Sequence, residues 1–370
     1  MSGGSTHNIQ GMRTAIVHIG SEKTGSTSIQ DFMDRNSGLL KQNHCGFFRS
    51  AGFISNFKLV NYCQNTPSVF AGNMPRLSND DADILKWKNQ FYKEHTREIE
   101  QFQKSIDGDS TVLYSSEHFQ SRVTDPNDIQ NLKTFLNTFF DKIRIVVYLR
   151  RQDLLAMSAH NTSIQGGATQ RFDINRVSTT GLYYDYNKLL DRWAAVFGKS
   201  TISVRVFEKA RMHNGNVVED FCQIAGLTLP DSNDYVKVNS NERLSVTAQE
   251  TLLRFNHLDD QNALLGGFKK QFLRQHLIAH LHKRKDNYPS ILPARADVET
   301  FYAHYKERND QLAEQWLDGQ GFDESFDTYP ESAVEHPEIN AQQELENALS
   351  ELVPELLSKR KWAKTFAKAS

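Results

Sequence analysis

The sequence predicts an α/β protein, a three-layer sandwich in which a central, mainly parallel sheet is flanked by helices, with a helical C-terminal extension. Three observations point there. Short apolar, β-branched runs at Ala15 to Ile19, Thr111 to Tyr114, Ile143 to Leu149 and Ile202 to Phe207 alternate with longer segments at helical spacing. The run IRIVVYL at 143–149 is continuous rather than alternating, as in a strand covered on both faces. The first run passes through a turn rich in Gly, Ser and Thr directly into a helix carrying Ile29, Phe32 and Met33 on one face.

At 370 residues the chain can bury one large core with additions, and we expect one elaborated domain. The expected division is a flexible tail over 1–12, an α/β core over 13–235 and a helical region over 236–370 packed on that core. The opening MSGGSTHNIQGMR is small and polar and lacks the apolar centre of a secretory signal. No later window supplies the roughly 20 apolar residues that span a bilayer. A net charge of −2 gives no global attraction to nucleic acid or anionic membrane, so neither is expected as a partner, and anion affinity has to come from local sites. Three scattered cysteines, Cys45, Cys63 and Cys222, lack metal-ligand spacing and suit a reducing compartment, with a cytoplasmic location expected.

The first strand, Ala15 to Ile19, feeds the turn Gly20-Ser21-Glu22-Lys23-Thr24-Gly25-Ser26-Thr27-Ser28. Gly20 and Gly25 permit positive-φ backbone, Lys23 brings a point charge, and Thr24, Ser26, Thr27 and Ser28 offer hydroxyls beside the amides of a helix N-terminus. The two glycines have the spacing of a nucleotide-triphosphatase P-loop, but the lysine is displaced: it stands two residues before the second glycine. A lysine inside the loop points at the 5′-phosphate end of a nucleotide rather than at a γ-phosphate over the helix. The alternative is an ordinary Gly/Ser/Thr-rich turn.

Residues 43–80, with Phe47, Phe48, Phe53 and Phe57 among turn formers, are expected to be irregular. An amphipathic helix is expected over 81–106, carrying Ile84, Leu85, Trp87, Phe91, Ile99 and Phe102. The strand 111–114 then ends at Ser115-Ser116-Glu117-His118, where open α/β sheets collect their ligands. Glu117 and His118 are therefore candidate bases, with His18 a third; the bland alternative has Glu117 capping the next helix and His118 on the surface.

A helix over 126–142, with Pro126 at its start, leads into the strand 143–149. Arg150 and Arg151 follow its carboxyl end, and a helix through Leu154, Leu155 and Met157 carries Ser158, eight residues after Arg150. A guanidinium at a strand end and a hydroxyl two turns into the next helix suit one phosphate gripped from two sides. Segment 161–172 is expected as a loop, 183–197 as a helix stopped by Gly198, 202–207 as a strand and 216–225 as a helix stopped by Gly226, with Trp193 and Phe197 in the core. Ser245 is expected to cap a helix bearing Leu252, Leu253 and Phe255, and 297–317 forms another amphipathic helix. The cluster His282-Lys283-Arg284-Lys285 is either a solvated face or an anion contact, and the tail 336–370 ends in the lysine-rich KRKWAKTFAKA.

Lys23-Thr24-Gly25-Ser26-Thr27 after an apolar strand, followed in chain order by Arg150 and Ser158 in YLRRQDLLAMS, resembles the sulfotransferases that use 3′-phosphoadenosine 5′-phosphosulfate (PAPS). The resemblance implies a P-loop-like fold and a core that binds PAPS, with adenosine 3′,5′-bisphosphate as product. It implies that Lys23, Thr24, Gly25, Ser26, Thr27 and Ser28 hold the 5′-phosphosulfate, and that Arg150 and Ser158 hold the 3′-phosphate. It implies a Glu or His between the half-sites as base: Glu117 first, His118 second. The chain departs from the family's C-terminal Arg-Lys-Gly, having Lys283-Arg284-Lys285-Asp286 instead. The expected acceptor is a hydroxyl, on a glycan or another small molecule; no metal is called for, and monomer and homodimer both stay open. Two rivals remain at this point, a degenerate P-loop kinase and a nucleotide-binding module without catalysis.

Overall fold

The computed structural model describes residues 11–67, 81–230, 235–237, 244–262, 267–286 and 288–358. The N-terminal decapeptide and the lysine-rich end KRKWAKTFAKA lie outside the described residues. The chain divides into two compact units, the first formed by 1–151, 180–241 and 307–322, the second by 152–179, 242–306 and 323–370. This interleaved division differs from a linear one at residue 235.

The first unit begins with β1 (Arg13–His18), α1 (Ser26–Arg35), α2 (Ser37–Gln42), β2 (Cys45–Gly46) and α3 (Phe57–Cys63). It continues through α4 (Asp81–Lys104), β3 (Ser110–Ser115), α5 (His118–Arg122), α6 (Pro126–Asn137) and β4 (Lys142–Leu149). Among the described residues, the unit's five strands, counting the later β5 (Ile202–Val206), form one sheet in the order β2-β3-β1-β4-β5. Every pairing is parallel. From β1 the chain goes to β2 and β3 on one side, and from β4 to β5 on the other. The order therefore reverses between β1 and β4, and the crevice beyond their carboxyl ends is the topological switch point.

The continuous apolar runs behave as buried parallel strands should. Ala15 to His18 of β1 and Ile145 to Leu149 of β4 are fully enclosed. The caps follow the sequence: Asp125 accepts from the Asn127 amide with Pro126 in the first turn of α6, and Asn216 accepts from the Val218 amide at the start of a later helix. A buried network ties the β4/β5 edge together. The Tyr148 hydroxyl donates to Asp220 at 2.7 Å, and Arg205 donates to both carboxylate oxygens at 2.6 and 3.1 Å. Burial alone would raise the Asp220 carboxyl, but Arg205, the His213 amide and Tyr148 together hold it below the ordinary range.

Within the segment 43–80, residues 43–67 hold more order than their pattern suggests, for they contain the two-residue strand β2 and the helix α3, and 68–80 lie outside the described residues. In α4 the buried side chains are Phe91, His95 and Ile99, whereas Leu85 is 60 % exposed. His95 bonds Ser50 Oγ through Nδ1 at 2.6 Å and the Tyr114 hydroxyl through Nε2 at 3.1 Å, inside a stack with Phe91 and Phe135.

The second unit contains α7 (Gln152–Gly166). This helix runs through part of the segment 161–172 expected as a loop. The first unit resumes with α8 (Tyr186–Phe197) and α9 (Val217–Ala225), which end at Gly198 and Gly226, both at positive φ. Trp193 and Phe197 are buried. The second unit then adds α10 (Val246–Asn262), α11 (Gly267–Leu281) and α12 (Arg295–Ala303). Ser245 Oγ accepts from the Ala248 amide at the start of α10. The helix expected over 297–317 is two, α12 and α13 (Lys306–Trp316), and α13 belongs from Glu307 onward to the first unit. Finally α14 (Ala341–Ser358) packs Leu345, Ala348 and Leu352 against Leu252, Leu277 and Leu281 in the core of the second unit.

Burial holds His18 and His95 down to about 3 from the ordinary 6.5. A depressed folded-state pKa means that the stability resting on the neutral imidazoles is complete above pH 6.5 and drains as the pH falls toward 3. At pH 5 the expected loss is about 2 kcal/mol per histidine. Urea unfolding at pH 7 and pH 5 measures it, and an unchanged free energy between the two would show that neither ring is held neutral by the fold.

Candidate functional site

The candidate site lies in the first unit, at the switch point between β1 and β4. Its floor is the turn leaving β1, whose backbone is set by three left-handed residues: Gly20 at φ 54°, Lys23 at φ 66° and Gly25 at φ 80°. Gly20 is required on two counts, since a Cβ there would also come within 2.8 Å of the Glu117 Cα. Gly25 is the N-cap of α1, and a Cβ on it would strike Val217 of α9 at 2.8 Å. The Thr24 hydroxyl is turned inward and donates to the Ser21 carbonyl at 2.5 Å. Thr27 is exposed, and Ser28 is buried with its amide on the Gly25 carbonyl at 2.9 Å. Ser26 Oγ is buried and has no hydrogen-bond partner among the described residues. An orphaned hydroxyl beside the first-turn amides of a helix fits an anion's oxygens.

Lys23 sits at the centre of this loop, and its backbone is clamped by residues far away in sequence. Arg150, at the end of β4, donates from Nη1 to the Lys23 carbonyl at 2.9 Å. The Tyr186 hydroxyl in turn donates to the Arg150 carbonyl at 2.5 Å, and the guanidinium lies 5.6 Å from the centre of the Phe207 ring. On the other flank the Glu22 amide donates to Gln120 Oε1 at 3.1 Å, and the Tyr183 hydroxyl donates to the Glu22 carboxylate at 2.9 Å. Burial pushes the Lys23 ammonium down and Arg150 adds to that, while Glu22 and Glu117 oppose it. The lysine is thus a half-buried cation that feels two carboxylates and a guanidinium.

Glu117 follows β3 and stands at the N-cap position of α5, but its carboxylate makes no capping bond. It accepts instead from Gln30 Nε2 of α1 at 2.9 Å, and its other oxygen is 3.9 Å from His118 Nε2. His118 is half-buried; burial lowers its pKa, and the Glu117 charge works in the opposite direction. His18 is fully enclosed, with Nδ1 2.8 Å from Ser115 Oγ and its ring against Tyr148 and Phe221.

The fold therefore gathers Lys23, Thr24, Gly25, Ser26, Glu117, His118 and Arg150 at one end of one sheet. Ser158 is half-buried on α7 and belongs to the second unit, and Arg151 is buried. In the basic cluster, Arg284 is engaged with Glu344 and Glu351 of α14 at 3.3 and 2.8 Å. The residues missed by sequence reasoning are Glu22, Gln30, Gln120 and Tyr183. Glu22 and Gln30 offered one signal, their position within and one turn beyond the loop; Gln120 and Tyr183 offered none.

No family model matches the chain. An uncharacterized protein of Archaeoglobus fulgidus is 32% identical over 148 residues, a match that spans 39% of this chain and 38% of that relative's length. A solved structure, a sulfotransferase from Alicyclobacillus acidocaldarius, superimposes with a TM-score of 0.34 at 17% identity, over 73% of this chain and 96% of that one. Among the described residues no helix is long and apolar enough to cross a membrane.

Proposed function

We propose that this chain is a sulfotransferase that takes the sulfuryl group from PAPS and places it on a hydroxyl acceptor, first among them a saccharide. The observation that carries the proposal is the meeting of Lys23, Arg150 and Glu117 at the switch point, with a cationic loop, a guanidinium on its carbonyl and a carboxylate opposite. When bound, the donor supplies an SO3 group on a phosphate leaving group, so the acceptor gains an S–O bond as the bridging S–O bond breaks. Lys23 neutralises the charge that develops on the bridging oxygen, a task for which a desolvated ammonium is well suited. The loop amides, with Thr24, Gly25, Ser26, Thr27 and Ser28, hold the 5′-phosphate. Arg150 holds the 3′-phosphate and so selects the bisphosphate over ATP. Glu117 takes the proton that the acceptor hydroxyl releases, with His118 the second candidate. Three free, buried cysteines favour the cytoplasm as the place of work.

Thermal unfolding with added nucleotide tests the donor assignment. At one hundred times its Kd, adenosine 3′,5′-bisphosphate is expected to add about 2.7 kcal/mol of stability, and ATP at the same concentration much less. Stronger stabilisation by ATP, or ATP hydrolysis, would make the chain a kinase-type enzyme. Tight bisphosphate binding without transfer to any acceptor would make it a binding module.

A further inference from the structure

We propose that Gln30 is the positioning residue of the base: it couples the aim of the Glu117 carboxylate to the helix that carries the phosphate loop. The inference rests on Glu117 being the base, and it adds a residue that the motifs do not contain.

Gln30 lies one turn beyond Ser26 on α1, and residues four apart share a helix face. Its side chain is 2 % exposed, an unusual place for a primary amide unless its hydrogen bonds are met. They are met at the end of β3: Nε2 is 2.9 Å from Glu117 Oε2 and 3.4 Å from both the carbonyl and the hydroxyl oxygen of Ser115. Ser115 Oγ is in turn 2.8 Å from His18 Nδ1 of β1. A fixed amide thus pins one carboxylate oxygen of Glu117 and leaves the other on the side of His118. The same helix presents Ser26 Oγ and its first-turn amides to the anion. The close approach of Gly20 to the Glu117 backbone locks the loop and the base together from a second direction. The seating of the donor phosphate and the direction of the base are consequently set by one rigid element, which is what a near-attack geometry needs. A charge-assisted bond of this kind is worth more than a neutral one, and its loss frees the carboxylate to rotate.

The experiment is a double-mutant cycle with Gln30→Met, close in volume but without a donor, and Glu117→Gln. Gln30→Met is expected to lower kcat at least 10-fold, leaving the acceptor KM and the calorimetric Kd for adenosine 3′,5′-bisphosphate within 2-fold, and to have no further effect when Glu117 is already Gln. Gln30→Glu, which keeps the size and sets a carboxylate against Glu117, is expected to lose more than Gln30→Met. A readout independent of turnover uses the ligand-free protein. The shifts in urea midpoint of Gln30→Met and Glu117→Gln are expected to be non-additive, because Gln30→Met removes the bond whose charge-assisted part Glu117→Gln takes away. Additive midpoint shifts overturn the coupling whatever the donor proves to be. If bisphosphate binds and Glu117→Gln is inactive while Gln30→Met turns over normally, the positioning role falls and the sulfotransferase reading stands.

Discussion

Replacing Lys23 by alanine is expected to cut turnover by about 100- to 1,000-fold, the usual effect of deleting one preorganised stabiliser of developing charge, without lowering the stability of the ligand-free protein. The two halves of this expectation come from the same geometry. Lys23 holds a left-handed backbone at φ 66°, a region that costs a side-chain-bearing residue free energy, and its ammonium is desolvated by the fold. Its pKa is lowered, so the folded state disfavours the charged form, and the residue opposes folding at neutral pH. Alanine removes the half-buried charge while keeping the backbone penalty. Glycine removes both, and Lys23→Gly is expected to melt higher than the natural chain by an amount equivalent to about 1 kcal/mol, while being as inactive as Lys23→Ala. Melting with and without adenosine 3′,5′-bisphosphate separates the effects: the ligand-free midpoint holds or rises and the ligand-induced increment shrinks. A large drop in the ligand-free midpoint of both variants would mean that Lys23 is part of the scaffold, and the assignment of its charge to the reaction would be withdrawn.

The loop is legible from the sequence, whereas its supports are not. The Gly/Ser/Thr turn between an apolar run and an amphipathic helix is a local pattern, and β1, α1 and the central strand β4 follow from periodicity and continuity alone. The clamp on Lys23 is not local. Arg150 reaches its carbonyl across 127 residues of sequence, and Tyr183 reaches Glu22 across 161. Only the sheet order, which sets β4 beside β1, brings the guanidinium to the loop. The strand β2 is two residues long and carries no periodicity to detect. His95 shows the opposite failure: it continues the i, i+4 row of Phe91 and Ile99 on the buried face of α4, but a titratable residue in such a row reads as solvent-facing unless its partners, here Ser50 and Tyr114, are known. The C-terminal end of α7 was lost because its Gly166-Gly167 pair and polar residues resemble a turn, whereas Ile164 is buried against the second unit's core.

Changing Glu117 to glutamine is expected to reduce kcat by about 100- to 10,000-fold, the range spanned by loss of a positioned general base, while bisphosphate affinity stays within about 2-fold. The substitution tests charge and basicity more than shape. An amide has nearly the volume of the carboxylate, its carbonyl oxygen can still accept from Gln30 Nε2, and no helix cap is lost because the Glu117 side chain makes none. Stability is therefore expected to fall by no more than the charge-assisted part of the Gln30 bond, about 1 kcal/mol. The neighbouring imidazole supplies an internal control. Burial lowers the pKa of His118 and the Glu117 charge raises it, so neutralising Glu117 pushes His118 further down and leaves it neutral over more of the acid range. If His118 were the base, Glu117→Gln would keep most of the activity and shift the acid limb of the kcat profile to lower pH, and His118→Gln would be the inactive variant. If Glu117 is the base, Glu117→Gln is inactive at every pH and His118→Gln loses little. The pair of profiles assigns the proton to one side chain or the other.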